Sequence, residues 1–190
     1  MRLIQTEIPD VVLLEPRAFE DERGWFMEAF NERVFHEGLC GLGHTVPGRF
    51  VQDSHSFTNR GVLRGMHFQL SPHAQGKLCR VMKGAVFDVA VDVRRASATF
   101  GRWVSAELTA QNRLQIWIPK GFAHGFLALE EGTEFLYKTT NYYAPECERS
   151  ILWSDPRLDI RWPSLGGKPP VLSVKDTTAP RLSECGVFSD

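Results

Sequence analysis

Long apolar runs are missing from this 190-residue chain, so nothing in it approaches a membrane-spanning segment. Its first residues, Met1-Arg2-Leu3-Ile4-Gln5-Thr6-Glu7, lack the apolar core of an export signal, and a cytoplasmic location is expected. Charge of one sign is missing too. With 22 Lys and Arg against 23 Asp and Glu the formal net charge is -1, which offers no grip on nucleic acid or an anionic membrane. Any anion this protein binds must therefore be recognised by a few local cations. Cysteine is scarce: Cys40, Cys79, Cys147 and Cys185 are scattered, with no paired spacing of the kind that holds zinc. They read as reduced thiols, and two disulfides of a secreted chain are the rival reading. Low-complexity tracts, internal repeats and a glycine-rich dinucleotide fingerprint are also absent. Hydrophobic residues at 43% and charged residues at 24% are ordinary for a globular chain, so one domain over residues 1–190 with a substantial core is expected.

What is present is alternation at period two. Ala85, Phe87, Val89, Val91 and Val93 share one face of a strand and Asp88, Ala90 and Asp92 the other. The first face is greasy enough to pack against a sheet; the second faces either water or a polar cavity. Lys83-Gly84 separates this strand from Lys77-Leu78-Cys79-Arg80-Val81-Met82, which predicts a hairpin. Further strands are expected over 48–54, 62–69, 103–108, 115–118, 125–129 and 134–140. Many short strands at close spacing predict an all-β antiparallel sandwich or barrel. Helices are confined to the periphery. Asn31 can cap a short helix that ends near Gly38, and Asp155-Pro156-Arg157-Leu158 can open a single turn. Residues 166–190 read as mostly irregular.

Chemistry concentrates in Gly61-Val62-Leu63-Arg64-Gly65-Met66-His67-Phe68-Gln69 and Gln75-Gly76-Lys77-Leu78. A cation, an imidazole and an ammonium set among strand-forming residues are costly to bury without an anionic partner, so a negative group is expected in the same interior. A second histidine follows in Trp117-Ile118-Pro119-Lys120-Gly121-Phe122-Ala123-His124-Gly125-Phe126. Arg64 and His67 are three apart, so an unbroken strand would send them to opposite faces. Either a bulge at Gly65 turns both inward, or Arg64 faces solvent.

These segments resemble the dTDP-4-dehydrorhamnose 3,5-epimerases, sugar-nucleotide epimerases of the cupin-like jelly-roll class. The likeness runs from Asp21-Glu22-Arg23-Gly24-Trp25-Phe26 to Leu172-Ser173-Val174-Lys175-Asp176 and takes in the two motifs above, Tyr137-Lys138, Tyr142-Tyr143 and Trp153-Ser154-Asp155-Pro156. The resemblance implies an antiparallel jelly-roll barrel with short peripheral helices. It implies inversion at carbons 3 and 5 of a 4-keto-6-deoxy sugar carried on dTDP, without a cofactor and without a metal. Both carbons are α to the ketone, so deprotonation gives an enolate that needs a base on one face, a cation at the oxygen and an acid on the other face.

By resemblance, His67 is the base, Asp176 orients it, Lys77 stabilises the enolate and Tyr137 returns the proton. Arg64, His124 and Lys175 are implied as substrate contacts, with Gln52, Asp53 and Ser54 on a binding strand. Tyr143 would stack on the thymine, and Glu148 would lie near the nucleotide. Arg23, Phe26 and Glu28 would sit on an arm that reaches the neighbouring subunit of a homodimer. The family usually has asparagine where this chain has Ser54. Taken without the resemblance, Lys77 is a solvated hairpin lysine, Tyr137 a core tyrosine, and Asp88 an exposed strand carboxylate or a buried partner for His124. Inversion at carbon 3 alone, a metal-dependent cupin and a non-catalytic sugar-binding module are the competing readings. The metal reading needs a set of ligands that His67 and His124 do not complete.

Overall fold

The computed structural model describes residues 1–189. A six-stranded antiparallel sheet runs in the order β1 (Arg2–Gln5), β2 (Val12–Glu15), β10 (Gln115–Ile118), β7 (Lys77–Lys83), β12 (Thr133–Thr139) and β5 (Gln52–Thr58). Facing it is a five-stranded sheet ordered β13 (Glu148–Ser150), β6 (Leu63–Gln69), β11 (Phe122–Ala128), β8 (Ala85–Asp92) and β9 (Trp103–Thr109). A separate ribbon pairs β3 (Ala18–Asp21) with β4 (Gly24–Met27). This is the antiparallel, cupin-like jelly roll that the resemblance implied. No helix among the described residues is long and apolar enough to cross a membrane.

Alternation decides what each sheet face does. Between the sheets, Cys79, Val81, Ile116, Ile118 and Phe135 pack against Val86, Ala90, Val104, Leu108, Phe122 and Phe126. Each large side chain buried there contributes about 1.5–3 kcal/mol against exposure. On the outside of the six-stranded sheet, α1 (Glu32–Gly41) lays Phe35 and Leu39 over Val12, Leu14, Leu78 and Trp117. Asn31 caps this helix by accepting a hydrogen bond from the Val34 backbone N–H at 3.2 Å. The helix does not stop at Gly38. That glycine instead lets the helix pass Leu3, whose side chain lies 2.7 Å from where a Cβ would sit, and the helix continues to Gly41.

Two expectations about β7 and β8 are corrected. They are not a hairpin: β7 pairs with β10 and β12, whereas β8 pairs with β11 and β9 in the opposite sheet. Cys79 and Val81 must meet Val86 and Ala90 face to face across the core, which edge-to-edge pairing would prevent. Gly84, at φ +79°, is the corner that carries the chain between sheets, and a Cβ there would lie 2.5 Å from Thr133 Oγ1. The greasy face of β8 does not pack on a sheet either. Val89, Val91 and Val93 are covered by Ile151, Leu158, Leu182 and Cys185 of the C-terminal segment. That segment is largely irregular, as expected, yet it forms the outer layer of the five-stranded sheet. It also carries an unforeseen turn of helix, α2 (Val174–Thr177).

Candidate active site

The carboxylate-bearing face of β8 points into the barrel, which settles its alternative between water and a polar interior: Asp88 and Asp92 are fully buried. Around Asp88 the sandwich opens into two neighbouring cavities, one of about 490 Å³ and one of about 90 Å³, and His67, Lys77 and Tyr137 line both. These three come from β6, β7 and β12, so the site straddles both sheets.

A bulge resolves the spacing of Arg64 and His67. His67 pairs with His124, but Arg64 pairs with Phe126, so three steps along β6 match two along β11. Gly65 occupies the irregularity at φ +134°, and its Cβ would lie 2.4 Å from the Gly125 Cα. Only two glycines permit this approach. As a result Arg64 and His67 line the same cavity, although Arg64 also remains exposed to solvent, and Arg64 donates to Thr58 Oγ1 at 3.1 Å.

His67 is held from 109 residues away. Its Nε2 lies 2.5 Å from Asp176 Oδ1, and Asp176 is almost fully buried at the start of α2, where the Ser173 hydroxyl accepts from its backbone N–H. Burial pushes the Asp176 carboxyl up, but the His67 hydrogen bond and charge outweigh it and hold the group below the usual carboxylate range. An ionised carboxylate only accepts, so Nε2 is the nitrogen that donates to Asp176, and in the neutral imidazole the lone pair falls to Nδ1. The anionic partner expected for the interior cations is thus present.

A second dyad lies alongside. His124 Nε2 is 2.9 Å from Asp88 Oδ2, its ring stacks on Phe135 at 6.1 Å, and Asp88 Oδ1 is buried without a hydrogen-bond partner among the described residues. Asp88 backs His124 rather than lining a cavity itself. Lys77 is half-buried, with its Nζ donating to the His67 carbonyl at 3.3 Å. Burial drives its pKa down from the ordinary value, while the charges of Asp88 and Glu148 oppose the shift. Lys77 is therefore an interior cation and not a solvated hairpin lysine. Tyr137 keeps its expected ring contact with Phe135 at 6.2 Å.

The remaining contacts divide into those gathered and those left outside. Glu148 accepts from Lys175 Nζ at 2.8 Å and from the Tyr143 hydroxyl at 3.1 Å, tying three segments together at the mouth. Burial raises the Glu148 carboxyl, and the Lys175 and His67 charges more than reverse this to a net lowering. Burial and the Glu148 charge push the Tyr143 phenol up. Gln52 lines the smaller cavity and accepts from the Tyr143 backbone N–H at 3.1 Å. Asp53 points the other way, to the outer face of β5, where it accepts from Lys138 at 2.9 Å. Arg23, Phe26 and Glu28 lie outside both cavities of their own chain. Arg23 pairs with Asp21 at 2.6 Å, Phe26 is 72% exposed, and Glu28 accepts from Asn31 at 3.1 Å.

Sequence reasoning missed Gln69, which is buried at the end of β6. It donates to the His73 and Tyr142 carbonyls and accepts from the Ala144 N–H, fixing the loop that presents Tyr143. A polar side chain directly after the apolar Phe68 at the end of the strand was the available signal. Among the described residues no group of three or more His, Cys, Asp and Glu side chains could hold a metal ion.

Comparison with known proteins identifies the family and the fold. The family model for dTDP-4-dehydrorhamnose 3,5-epimerase matches residues 5–184. The Shigella flexneri protein of that name is 52% identical over 188 residues, covering 99% of each chain. The solved dTDP-6-deoxy-D-glucose-3,5-epimerase of Legionella pneumophila Philadelphia 1, in complex with dTDP-4-keto-L-rhamnose, superposes with a TM-score of 0.91 at 46% identity, covering 100% of this chain and 98% of that one. A 3'-monoepimerase from Streptomyces bikiniensis, solved with dTDP-quinovose, gives 0.85 at 33% identity, covering 96% of this chain and 88% of that one. This chain belongs to the dTDP-4-dehydrorhamnose 3,5-epimerase family.

Proposed function

We propose that this protein inverts carbons 3 and 5 of dTDP-4-keto-6-deoxyglucose to give dTDP-4-keto-rhamnose. The observation that carries the reading is the shared wall of His67, Lys77 and Tyr137 between the two cavities, with His67 oriented by Asp176. His67 Nδ1 takes the proton from the carbon α to the ketone, and the C–H electron pair moves onto the carbonyl oxygen. The Lys77 ammonium stabilises that oxyanion. Tyr137 then gives its phenolic proton to the opposite face, and the electrons return to re-form the ketone. The resulting imidazolium and tyrosinate are reset by proton exchange with water. Substrate and product are isomers and the steps move only protons, so no redox equivalent is consumed.

Arg64 and Lys175 supply the local cations that a diphosphate needs in a chain of nearly zero net charge, and His124 lines the same cavity as a hydrogen-bonding contact. Gln52, Tyr143 and Glu148 form the nucleotide end, and Asp88 holds His124 in its tautomer. Inversion at both carbons is favoured over inversion at one by 52% identity across the whole chain to a 3,5-epimerase, against 33% to the monoepimerase. We assign a homodimer, because Arg23, Phe26 and Glu28 stand on an exposed ribbon clear of their own cavities. We also assign a cytoplasmic location, where dTDP-sugars are made.

The test is incubation with dTDP-4-keto-6-deoxyglucose in heavy water, followed by NMR. Deuterium at carbons 3 and 5 together with inverted product is expected. Exchange at carbon 3 alone would assign the single inversion, and no exchange at either carbon would refute the reading.

A further inference from the structure

Ser54 occupies a place that its neighbours make informative. Gln52, Ser54 and Ser56 alternate along the inner face of β5, while Asp53, His55 and Phe57 face outward and are exposed. Gln52 lines the smaller cavity and Ser56 the larger. Ser54, between them, lines neither. Its directly paired residue across the strands is Tyr137, which lines both. Side chains of such a pair lie on one face of the sheet with Cβ atoms about 4.5–5.5 Å apart, so Ser54 is an immediate neighbour of Tyr137.

The two flanks of that ring are unequal. On one side Tyr137 pairs with Cys79 of β7, a thiol buried in the core with no exposure. On the other side stands Ser54, on the edge strand of the sheet, with no further strand beyond it. The serine hydroxyl is already engaged, accepting from Gln52 Nε2 at 3.2 Å. The Tyr137 hydroxyl makes no hydrogen bond among the described residues. The ring is thus flanked by a core thiol on one side and by one of the smallest side chains on the other.

We propose that Ser54 is a positioning residue for Tyr137, and that its small size sets how often the enolate is protonated on the far face. This rests on the assignment of Tyr137 as the proton donor. The donor must sit close to its target and aligned with it, so lateral freedom of the phenol lowers the chance of delivery at each visit. His67 is 25% exposed along its side chain and can exchange its proton with water. Enolates that Tyr137 fails to reach are reprotonated by His67 on the original face. The outcome is substrate that carries solvent deuterium but is not inverted. Ser54 thereby governs the partition between exchange and inversion without touching the sugar.

The experiment measures, in heavy water, the ratio of inverted product to exchanged but uninverted substrate for wild type, Ser54→Asn and Ser54→Thr. Both substitutions enlarge the side chain beside Tyr137, one with an amide and one with a single methyl. A rise of the ratio of at least about twofold in either variant is expected, because near-attack geometry controls the competing protonations. A smaller change or a fall in both variants overturns the proposal, whatever happens to KM. A change in KM with the ratio unmoved makes Ser54 a substrate contact instead. Absence of exchange and inversion in wild type would refute the proposed reaction, an outcome distinct from failure of the role given to Ser54.

Discussion

Tyr137 is surrounded as a core residue and left unsatisfied as a polar one: Phe135 lies 6.2 Å from its ring, while its hydroxyl has no partner among the described residues. A buried or half-buried phenol normally finds a hydrogen-bond partner, so a free one facing a cavity is available to an incoming ligand. His67 shows the complementary arrangement, with one ring nitrogen committed to Asp176 and the other open. The two side chains divide the reaction between removal and return of a proton. Tyr137→Phe keeps the ring and removes only the donor, leaving the base in place. Exchange of the α-protons with heavy water is expected to persist in this variant, while net inversion falls by about 10²–10⁴-fold, the usual contribution of a positioned acid. NMR of the substrate pool and the product separates the two rates. Equal loss of exchange and inversion with the fold intact would make Tyr137 a residue that positions substrate.

At the scale of the element, β8 shows how one strand serves two ends of the barrel. Asp88 anchors the active-site end, and Asp92, four residues on, anchors the other. Asp92 is fully buried and accepts at 2.6 Å from each of Arg94, Ser97 and Thr99, while Arg94 also reaches Asp10 at 2.9 Å and lies 4.6 Å over the Phe122 ring. Burial raises the Asp92 carboxyl, but these hydrogen bonds outweigh it and its pKa lies below the ordinary 3.8. A carboxyl lowered in the folded state contributes stability that is fully present above its unfolded pKa. That contribution is lost as pH falls through the folded value. Asp92→Ala is expected to cost about 1–3 kcal/mol at neutral pH, since it removes the buried acceptor of Ser97 and Thr99 and leaves Asp10 as the only carboxylate on Arg94 among the described residues. The difference from wild type should shrink below the ordinary carboxylate pKa as wild type loses the same interaction. Urea unfolding of both proteins across that pH range checks the size and the sign.

For the whole molecule, the arrangement is a sandwich with different outer coverings. A helix covers part of the six-stranded sheet, and the C-terminal segment covers the five-stranded one while delivering Asp176. The ribbon carrying Phe19, Trp25 and Phe26, each more than half exposed, has no such covering. Aromatic side chains held out in this way are costly to leave in water and suit an interface with a second copy. If Arg23 completes the neighbour's site, mixing Arg23→Ala subunits with His67→Asn subunits should restore turnover, since each mixed dimer holds one site with both residues intact. Random pairing predicts about a quarter of wild-type activity, from half the dimers having one of two sites restored. Activity that stays at the sum of the two separate variants after subunit exchange would remove the arm from the partner's site.

Alternation along the chain located the central strands β6 to β12, because a strand with one buried face must repeat at period two wherever it ends up, but β5 lies about four residues later than expected and the short strands β1 to β4 and β13 were not read from it. The chemistry was legible for a related reason. Cations and imidazoles among strand-forming residues are costly to bury without a purpose, which drew attention to Arg64, His67, Lys77 and His124 before any coordinates. The motif spacing of the whole chain carried the family resemblance. What the chain could not reveal by itself was which surface covers which. Periodicity says that β8 has two faces, but its pairing with β9 and β11 rather than β7 follows from where Cys79, Val81, Val86 and Ala90 can all be buried at once. The same holds for the parity of Arg64 and His67, decided by two glycines that meet across β6 and β11. It holds again for Asp176, whose irregular segment has no period to read and reaches His67 only because the outer face of the five-stranded sheet needed a cover. Local pattern is set by each residue's own neighbours in sequence; burial is a property of the completed fold, and it assigns the partners.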